Sequence, residues 1–221
     1  MKRENKSLTA GGEEILTNWL VKLIPSFIGP DHMTFLAFSG AILACVSLIK
    51  AGSDINFLHL ANVGIFIHWL GDSLDGLLAR WRKRERPNYG YYVDHLLDAI
   101  SLVFILGGLV TSSLTATNAW GWVLVVFLLL MVHIFLATKI TGVFELSFGF
   151  FGPTEARLGM MISNLLIYFC GNKTYLLLGT PFTLFDLIGV GVALSLGTIL
   201  IFVSLVTMRR LHLADMMRLA K

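Results

Sequence analysis

Four aspartates at helical spacing lie between residues 72 and 98 of a chain that is otherwise strongly apolar. Asp72 and Asp75 are related as i and i+3, and Asp94 and Asp98 as i and i+4, so each pair shares one face of a helix. A short segment rich in arginine and lysine, residues 80–86, lies between the pairs. Two antiparallel helices joined by this segment would bring the four carboxylates together.

Four carboxylates at one place repel one another or take up protons unless a cation neutralises them. Ligation by oxygen alone suits Mg²⁺ or Mn²⁺, and no cluster of histidines and cysteines indicates zinc. Such a metal typically bridges to phosphate, where it offsets the charge of a diphosphate and stabilises a leaving phosphate. Gly76 and Ala79 are small, as a helix face must be if a nucleotide is to lie against it.

The composition excludes a soluble domain. The chain has 221 residues, of which 56% are hydrophobic and 14% charged, and its mean hydropathy is +0.76. We therefore expect one all-α integral membrane domain over residues 1–221. The pI near 9.0 requires no nucleic-acid partner, because attraction to anionic lipid explains it.

Six transmembrane helices are predicted within residues 31–210 from the stretches between charges. The first runs from Met33 to about Ile49 and the second begins at Ile55. The third and fourth share residues 99–138 and are divided at residues 112–118. The fifth ends near Phe169, and the sixth covers residues 187–208.

An amphipathic helix is predicted before these spans, at residues 12–28. Apolar side chains at helical spacing, including Ile15, Trp19 and Leu23, lie opposite polar ones such as Lys22, and Pro25 is expected to end the helix. This pattern favours a helix in the membrane interface, and the alternative is a short soluble cap.

The basic residues predict the orientation. With both termini in the cytoplasm, 15 of the 17 lysines and arginines lie on the cytoplasmic side, and only Lys50 and Lys173 lie outside. Three spans reach full length only if they include charged residues at that side, namely the four aspartates, Glu155 and Arg157. The sequence thus predicts a polar cavity in the cytoplasmic half of the bundle, lined by the second, third and fifth spans.

The pattern Asp72-x-x-Asp75-Gly76-x-x-Ala79-Arg80, nine residues, Gly90-x-x-x-Asp94-x-x-x-Asp98 resembles the signature of the CDP-alcohol phosphotransferases, and all eight specified positions are filled. The six-span layout and the interfacial helix are similar as well. Pro30 to Thr34 is similar to the family's Pro-Asn-x-x-Thr segment, with Asp31 in place of the asparagine.

The resemblance implies a CDP-alcohol donor, a hydroxyl acceptor, release of CMP, and two ions of Mg²⁺ or Mn²⁺. It implies that Asp98 is the base that acts on the acceptor, and that a homodimer is one allowed assembly. The implied metal ligands are Asp72, Asp75, Asp94 and Asp98. The implied CDP-binding residues are Asp72, Asp75, Gly76, Ala79, Arg80, Gly90 and Thr34.

The substrates remain open at this point. Phosphatidyl transfer from CDP-diacylglycerol is expected first, because the compact chain resembles prokaryotic phosphatidyltransferases and hence inner-membrane enzymes. The alternative is a choline- or ethanolamine-type phosphotransferase acting on diacylglycerol. Remoter alternatives are an aspartate-rich membrane prenyltransferase and a cation transporter or channel.

Basic residues near the fifth span suggest how the acceptor binds. Lys139 and Arg157 are expected at the cytoplasmic mouth of the cavity, where they would bind the phosphate of an acceptor such as glycerol phosphate or inositol phosphate. Alternatively, Lys139 only extends to the interface and Glu155 attracts an amine.

His68 is expected to be a packing residue. His95 is expected to face away from Asp94, with no catalytic role.

Overall fold

The computed structural model describes residues 2–4, 9–145 and 152–219. Within these ranges the chain forms seven α-helices, a 3₁₀ turn at Val21–Leu23 and four short strands. The helices are α1 (Ala10–Leu20), α2 (Pro30–Ala51), α3 (Phe57–Trp81), α4 (Pro87–Val110), α5 (Ala119–Thr141), α6 (Pro153–Cys170) and α7 (Leu184–Leu219). The strands are β1 (Lys2–Glu4), β2 (Val143–Glu145), β3 (Thr174–Leu177) and β4 (Thr180–Thr183).

Proline and glycine set several helix ends. The helices α2, α4 and α6 begin at Pro30, Pro87 and Pro153. Proline is favoured at this position because its missing N–H group has no partner within the first turn of a helix. The helix α5 ends at Gly142, whose φ of 75° places it in the left-handed region.

Each predicted span corresponds to one of the helices from α2 to α7, and the predicted connection at residues 112–118 separates α4 from α5. The helix α7 continues to Leu219, well past the predicted end at residue 208. Among the described residues, four helices are long and apolar enough to cross a membrane, namely α2, α4, α5 and α7. The helices α3 and α6 carry the charged residues that lie at the site described below.

The N-terminal helix is shorter than predicted. The helix α1 ends at Leu20, the 3₁₀ turn ends at Leu23, and Ile24 is extended, so the helix stops before Pro25. Arg82 explains the path that follows, because its guanidinium group donates hydrogen bonds to the carbonyls of residues 24, 25, 26 and 28. This long-range contact fixes the turn between α1 and α2 and is not evident from local periodicity.

The two strand pairs are short additions to the predicted all-α bundle. The strand β1 pairs in parallel with β2, and β3 pairs antiparallel with β4. The turn between β3 and β4 contains Leu178 and Gly179, whose φ values are 51° and 81°. Positive φ at both central residues is typical of a two-residue hairpin turn.

A buried carboxylate fixes the end of the bundle opposite the predicted cavity. Asp186, at the start of α7, is fully buried and accepts hydrogen bonds from the backbone N–H groups of Ala116, Thr117 and Thr183. The hydroxyls of Thr117 and Thr183 also donate to it. Asp186 thereby joins the α4–α5 connection to the first turn of α7, so it stabilises the bundle.

Small residues allow α2 and α3 to pack with their backbones in contact. A Cβ atom added at Gly71 would lie 2.5 Å from both the Ala37 nitrogen and the Met33 oxygen. A Cβ atom at Gly64 would lie 2.5 Å from the Ala44 nitrogen. Such close approach is typical of packed membrane helices. This packing fixes the position of the acidic end of α3 against α2.

We expect Gly71→Ala to destabilise the protein by about 1–3 kcal/mol, because the added methyl group must push α2 away from α3. The matched control is Gly107→Ala in α4, since an added Cβ there has no neighbour within 4 Å among the described residues. This control should be neutral or slightly stabilising, because alanine favours helix more than glycine does. Thermal unfolding in detergent measures both, and equal midpoints for the two variants would contradict the packing argument.

Candidate active site

Three helices bring the predicted acids together at one end of the bundle. The helix α3 carries Asp72 and Asp75, α4 carries Asp94 and Asp98, and the first turns of α6 carry Arg157. The Nη2 atom of Arg157 lies 2.7 Å from Oδ2 of Asp72 and 3.8 Å from Oδ1 of Asp98. One guanidinium group therefore neutralises a carboxylate from each of the two acidic helices.

Asp75 is held by a residue of α2. The Thr34 hydroxyl donates a hydrogen bond of 2.9 Å to Oδ2 of Asp75, whose exposed fraction is 9%. Thr34, which is predicted to bind CDP, lies beside the predicted nucleotide site and orients one of the acids. The close packing of α2 on α3 makes this contact possible.

Asp94, His95 and Asp98 bring three possible metal ligands together. One ligand atom from each of the three lies within 4.8 Å of the others. The Nδ1 atom of His95 is 3.3 Å from Oδ2 of Asp94. The donor set fits a divalent cation such as Mg²⁺ or Mn²⁺, because carboxylate oxygens predominate. Asp75 faces the same region across the adjoining cavity, whereas Asp72 is engaged by Arg157.

The prediction that His95 faces away from Asp94 is wrong. It was based on the angle of about 100° that separates adjacent residues on a helix. His95 is related to Asp98 as i and i+3, so those two residues share a face. The rotamer of His95 also brings its ring back toward the Asp94 carboxylate. The i, i+3 relation was a signal available in the sequence.

A polar cavity of about 270 Å³ lies between α2, α3 and α4. A Cβ atom added at Gly90 would have no neighbour within 4 Å among the described residues, and one at Gly76 would meet only Arg80, at 3.5 Å. These two glycines therefore leave open space beside the acids. The predicted CDP-binding residues that line the cavity are Thr34, Asp75, Gly76, Ala79, Arg80 and Gly90.

The rim of the polar cavity also contains charged residues that are not among the predicted site residues. Asp31 occupies the position of the asparagine in the Pro-Asn-x-x-Thr segment, and it forms an ion pair with Arg86. Arg84 and Arg86 line the cavity together with Arg80. Of these three arginines, the sequence predicts only Arg80 to bind CDP, because it alone follows the acidic face of α3 by about one turn.

A second cavity, of about 380 Å³, opens on the other side of α4. Its lining is mostly aliphatic and aromatic and comes from α3, α4, α5, α6 and α7. Asp98, Arg157 and His68 stand at its polar end, and His95 lines both cavities. His68, which was expected to be a packing residue, is buried at 4% exposure and lies against this cavity. The apolar cavity thus extends to Asp98, the predicted base.

The two residues predicted to bind the acceptor are separated. Arg157 lines the apolar cavity and not the polar one, and its guanidinium group is paired with Asp72. Lys139 is exposed near the end of α5 and lines neither of the two cavities. Whether Arg157 binds an acceptor phosphate therefore stays a prediction. Glu155 is directed to the N-terminal segment, since it accepts hydrogen bonds from Thr9.

Comparison with known proteins agrees with this arrangement. The family model described as CDP-alcohol phosphatidyltransferase matches residues 27–208, which include every site residue named above. The chain belongs to this family. Membership confirms the resemblance found in the aspartate motif. Together with the four apolar helices, it identifies an integral membrane protein.

Curated relatives of this CDP-alcohol phosphatidyltransferase family member carry two kinds of name. A cholinephosphotransferase 1 of Xenopus laevis is 25% identical over 179 residues, which cover 77% of this chain and 44% of the relative. One from Danio rerio is 29% identical over 169 residues, 72% of this chain and 43% of the relative. A CDP-diacylglycerol–serine O-phosphatidyltransferase of Encephalitozoon cuniculi is 30% identical over 172 residues, 72% of this chain and 42% of the relative. The chain thus spans less than half the length of these relatives.

We expect Asp94→Asn and His95→Ala each to weaken Mn²⁺ binding by at least about tenfold, because each removes a donor from the cluster. Titration of purified protein with Mn²⁺, followed by electron paramagnetic resonance, measures the affinity. Asp215→Asn serves as the control, because Asp215 is an exposed acid near the end of α7. Affinities of Asp94→Asn and His95→Ala equal to that of Asp215→Asn would contradict a metal site at this cluster.

Proposed function

We propose that the protein transfers a substituted phosphate from a CDP-alcohol to an acceptor hydroxyl and releases CMP. The observation that carries the proposal is the meeting of a polar cavity and an apolar cavity at Asp94, His95 and Asp98. The polar cavity carries three arginines that can pair with phosphate, and the lining of the apolar cavity suits a lipid. Membership in the family supports the same reaction.

The donor side is assigned to the polar cavity. In this assignment, the open space at Gly76 and Gly90 admits the cytidine diphosphate, and Arg80 faces a phosphate. Thr34 keeps Asp75 in position through its hydrogen bond. The additional arginines at the rim, Arg84 and Arg86, attract the negatively charged donor.

The acids are proposed to hold two ions of Mg²⁺ or Mn²⁺, with Asp72, Asp75, Asp94 and Asp98 as ligands and His95 as an added donor. When bound, such ions offset the charge of the diphosphate and stabilise the leaving phosphate. Asp72 is close to Arg157, so this arginine helps to balance the carboxylates and keeps them facing the site.

Asp98 is proposed to act on the acceptor. It lines the apolar cavity, and its carboxylate can accept the proton of a hydroxyl that enters there. The hydroxyl oxygen then forms a bond to the phosphorus that carries the alcohol of the donor. The bond from that phosphorus to the bridging oxygen breaks, and CMP leaves with this oxygen through the polar cavity.

Two versions of this reaction differ in which substrate is the lipid. In the first, CDP-diacylglycerol gives a phosphatidyl group to a polar alcohol, as the name of the Encephalitozoon relative describes. In the second, a CDP-amino alcohol reacts with diacylglycerol, which matches the cholinephosphotransferase names. The mostly apolar lining of the cavity that reaches Asp98 favours the second, because it suits the chains of a lipid acceptor better than a small polar alcohol.

The topology belongs to the proposal as well. We place six spans in the membrane, adding α3 and α6 to the four apolar helices, with both termini and the site on the cytoplasmic face of a prokaryotic inner membrane. The lysines and arginines in the segment 80–86 and at the end of α7 favour this orientation. The exposed side chains of Ile15, Trp19 and Phe27 support an interfacial position for α1 and the turn after it.

We expect purified protein in proteoliposomes to release CMP from CDP-choline or CDP-ethanolamine when diacylglycerol and Mg²⁺ or Mn²⁺ are present. A chelator should stop the reaction, and added metal should restore it. The same assay should pair CDP-diacylglycerol with serine, glycerol phosphate and inositol phosphate. Turnover with a phosphorylated acceptor, together with a raised acceptor KM in Arg157→Ala, would favour phosphatidyl transfer. No CMP from any pair would contradict the proposed function.

Asp98→Asn and Asp75→Asn should impair different steps. We expect Asp98→Asn to lower kcat by about 10²- to 10⁴-fold, because it removes the base, with a smaller effect on donor affinity. Asp75→Asn should chiefly weaken binding of metal and donor. Steady-state kinetics and binding of labelled CDP-alcohol measure the two effects. Near-normal turnover by Asp98→Asn would remove Asp98 from the mechanism.

A further inference from the structure

The helix α1 carries a carboxylate that bridges two helices of the site. The Glu13 side chain accepts a hydrogen bond of 2.8 Å from the Ser73 hydroxyl of α3 at one oxygen. Its other oxygen accepts a hydrogen bond of 2.8 Å from the Thr154 hydroxyl of α6. Ser73 directly follows Asp72, and Thr154 lies one turn before Arg157. Glu13 thus joins the two chain segments that form the Asp72–Arg157 ion pair.

A second contact fixes the same end of α6 to the segment that leads into α1. Both the backbone N–H and the hydroxyl of Thr9 donate hydrogen bonds of 2.8 Å to one oxygen of Glu155. The other oxygen of Glu155 accepts a hydrogen bond of 2.8 Å from the Gly152 N–H. The first turn of α6 is therefore held at two places by residues that are distant in sequence.

This first turn of α6 forms part of the apolar cavity. Pro153, Ala156 and Arg157 all line it, and Arg157 faces Asp98 as well as Asp72. A small shift of the turn would move the guanidinium group and the cavity wall together. Misplacement of a reacting group by about 1 Å can lower a rate by about 10²-fold.

We propose that Glu13 is a positioning residue for the acceptor side of the reaction. It holds Ser73 and Thr154 at a fixed separation, and so keeps Arg157 against Asp72 and the end of the apolar cavity in its reacting shape. This inference rests on the proposed function for its kinetic consequence. The contacts themselves can be tested without any catalysis.

The kinetic test compares Glu13→Ala, Glu13→Gln and the control Glu14→Ala. Glu14 is the adjacent acid of α1 and is exposed, and among the described residues only its backbone carbonyl, not its carboxylate, accepts a side-chain hydrogen bond, from Thr17. We expect Glu13→Ala to lower kcat/KM for the acceptor by about 10- to 100-fold, with the donor KM unchanged within about twofold. Glu13→Gln should regain part of the loss, because an amide can still bond to both hydroxyls.

A double-mutant cycle with Thr154→Val tests the contact itself. If Glu13 acts through Thr154, the double variant should lose no more activity than Glu13→Ala alone. Fully additive losses would overturn the proposal. The proposal would also be overturned if Glu13→Ala lowered kcat/KM equally for donor and acceptor and Glu13→Gln regained nothing. That result would indicate a general loss of structure.

Hydrogen–deuterium exchange separates this proposal from the reaction. In detergent, Glu13→Ala should speed the exchange of amides in residues 154–158, whereas Glu14→Ala should not. Equal exchange in the two variants would overturn the proposal whether or not the wild type releases CMP. Faster exchange with unchanged acceptor kinetics would overturn it as well. If the wild type makes no CMP from any substrate pair, the proposed function fails, and a positioning role in that reaction fails with it.

Discussion

Neutralising several carboxylates inside an apolar bundle is the constraint on which the rest of this structure depends. A buried charge without a partner costs several kcal/mol, so each acid needs a cation or hydrogen-bond donor at the same depth. Arg157 meets Asp72 and Asp98, and Thr34 meets Asp75. Because these partners come from α2, α3, α4 and α6, the four helices must converge at one end of the bundle. The close packing of α2 on α3 at Gly71 holds these two helices together near the acids.

Much of this could be predicted from the sequence because the membrane restricts the solutions. A spanning segment must satisfy its own backbone hydrogen bonds, so apolar stretches of sufficient length become helices. Residues 112–118 therefore separate two helices as predicted. The spacing of the four aspartates predicts two acidic helices, and the structure has Asp72 and Asp75 on α3 and Asp94 and Asp98 on α4. These features depend on local periodicity, which a single sequence carries.

Contacts between distant residues were not predictable in the same way. Nothing near Arg82 indicates that it binds carbonyls more than fifty residues earlier in the chain, yet this contact defines the turn after α1. Glu155 was considered as a site for an amine, whereas it caps α6 and holds Thr9. His95 lies near both Asp94 and Asp98, although adjacent residues on a helix are separated by about 100°. Its proximity to Asp98 follows from the helix, but its approach to Asp94 depends on a rotamer.

The placement of the acids at a boundary between two cavities has a consequence for the proposed reaction. A diphosphate is strongly disfavoured in an apolar chamber, so the donor and the CMP product are confined to the polar side. A lipid gains most by keeping its chains in the apolar chamber and bringing only its hydroxyl to Asp98. In an in-line displacement the attacking hydroxyl and the leaving CMP lie on opposite sides of the phosphorus, so entry of the hydroxyl from the apolar cavity suits departure of CMP through the polar cavity. The separation of polar and apolar linings thus orients the substrates before any individual contact is made.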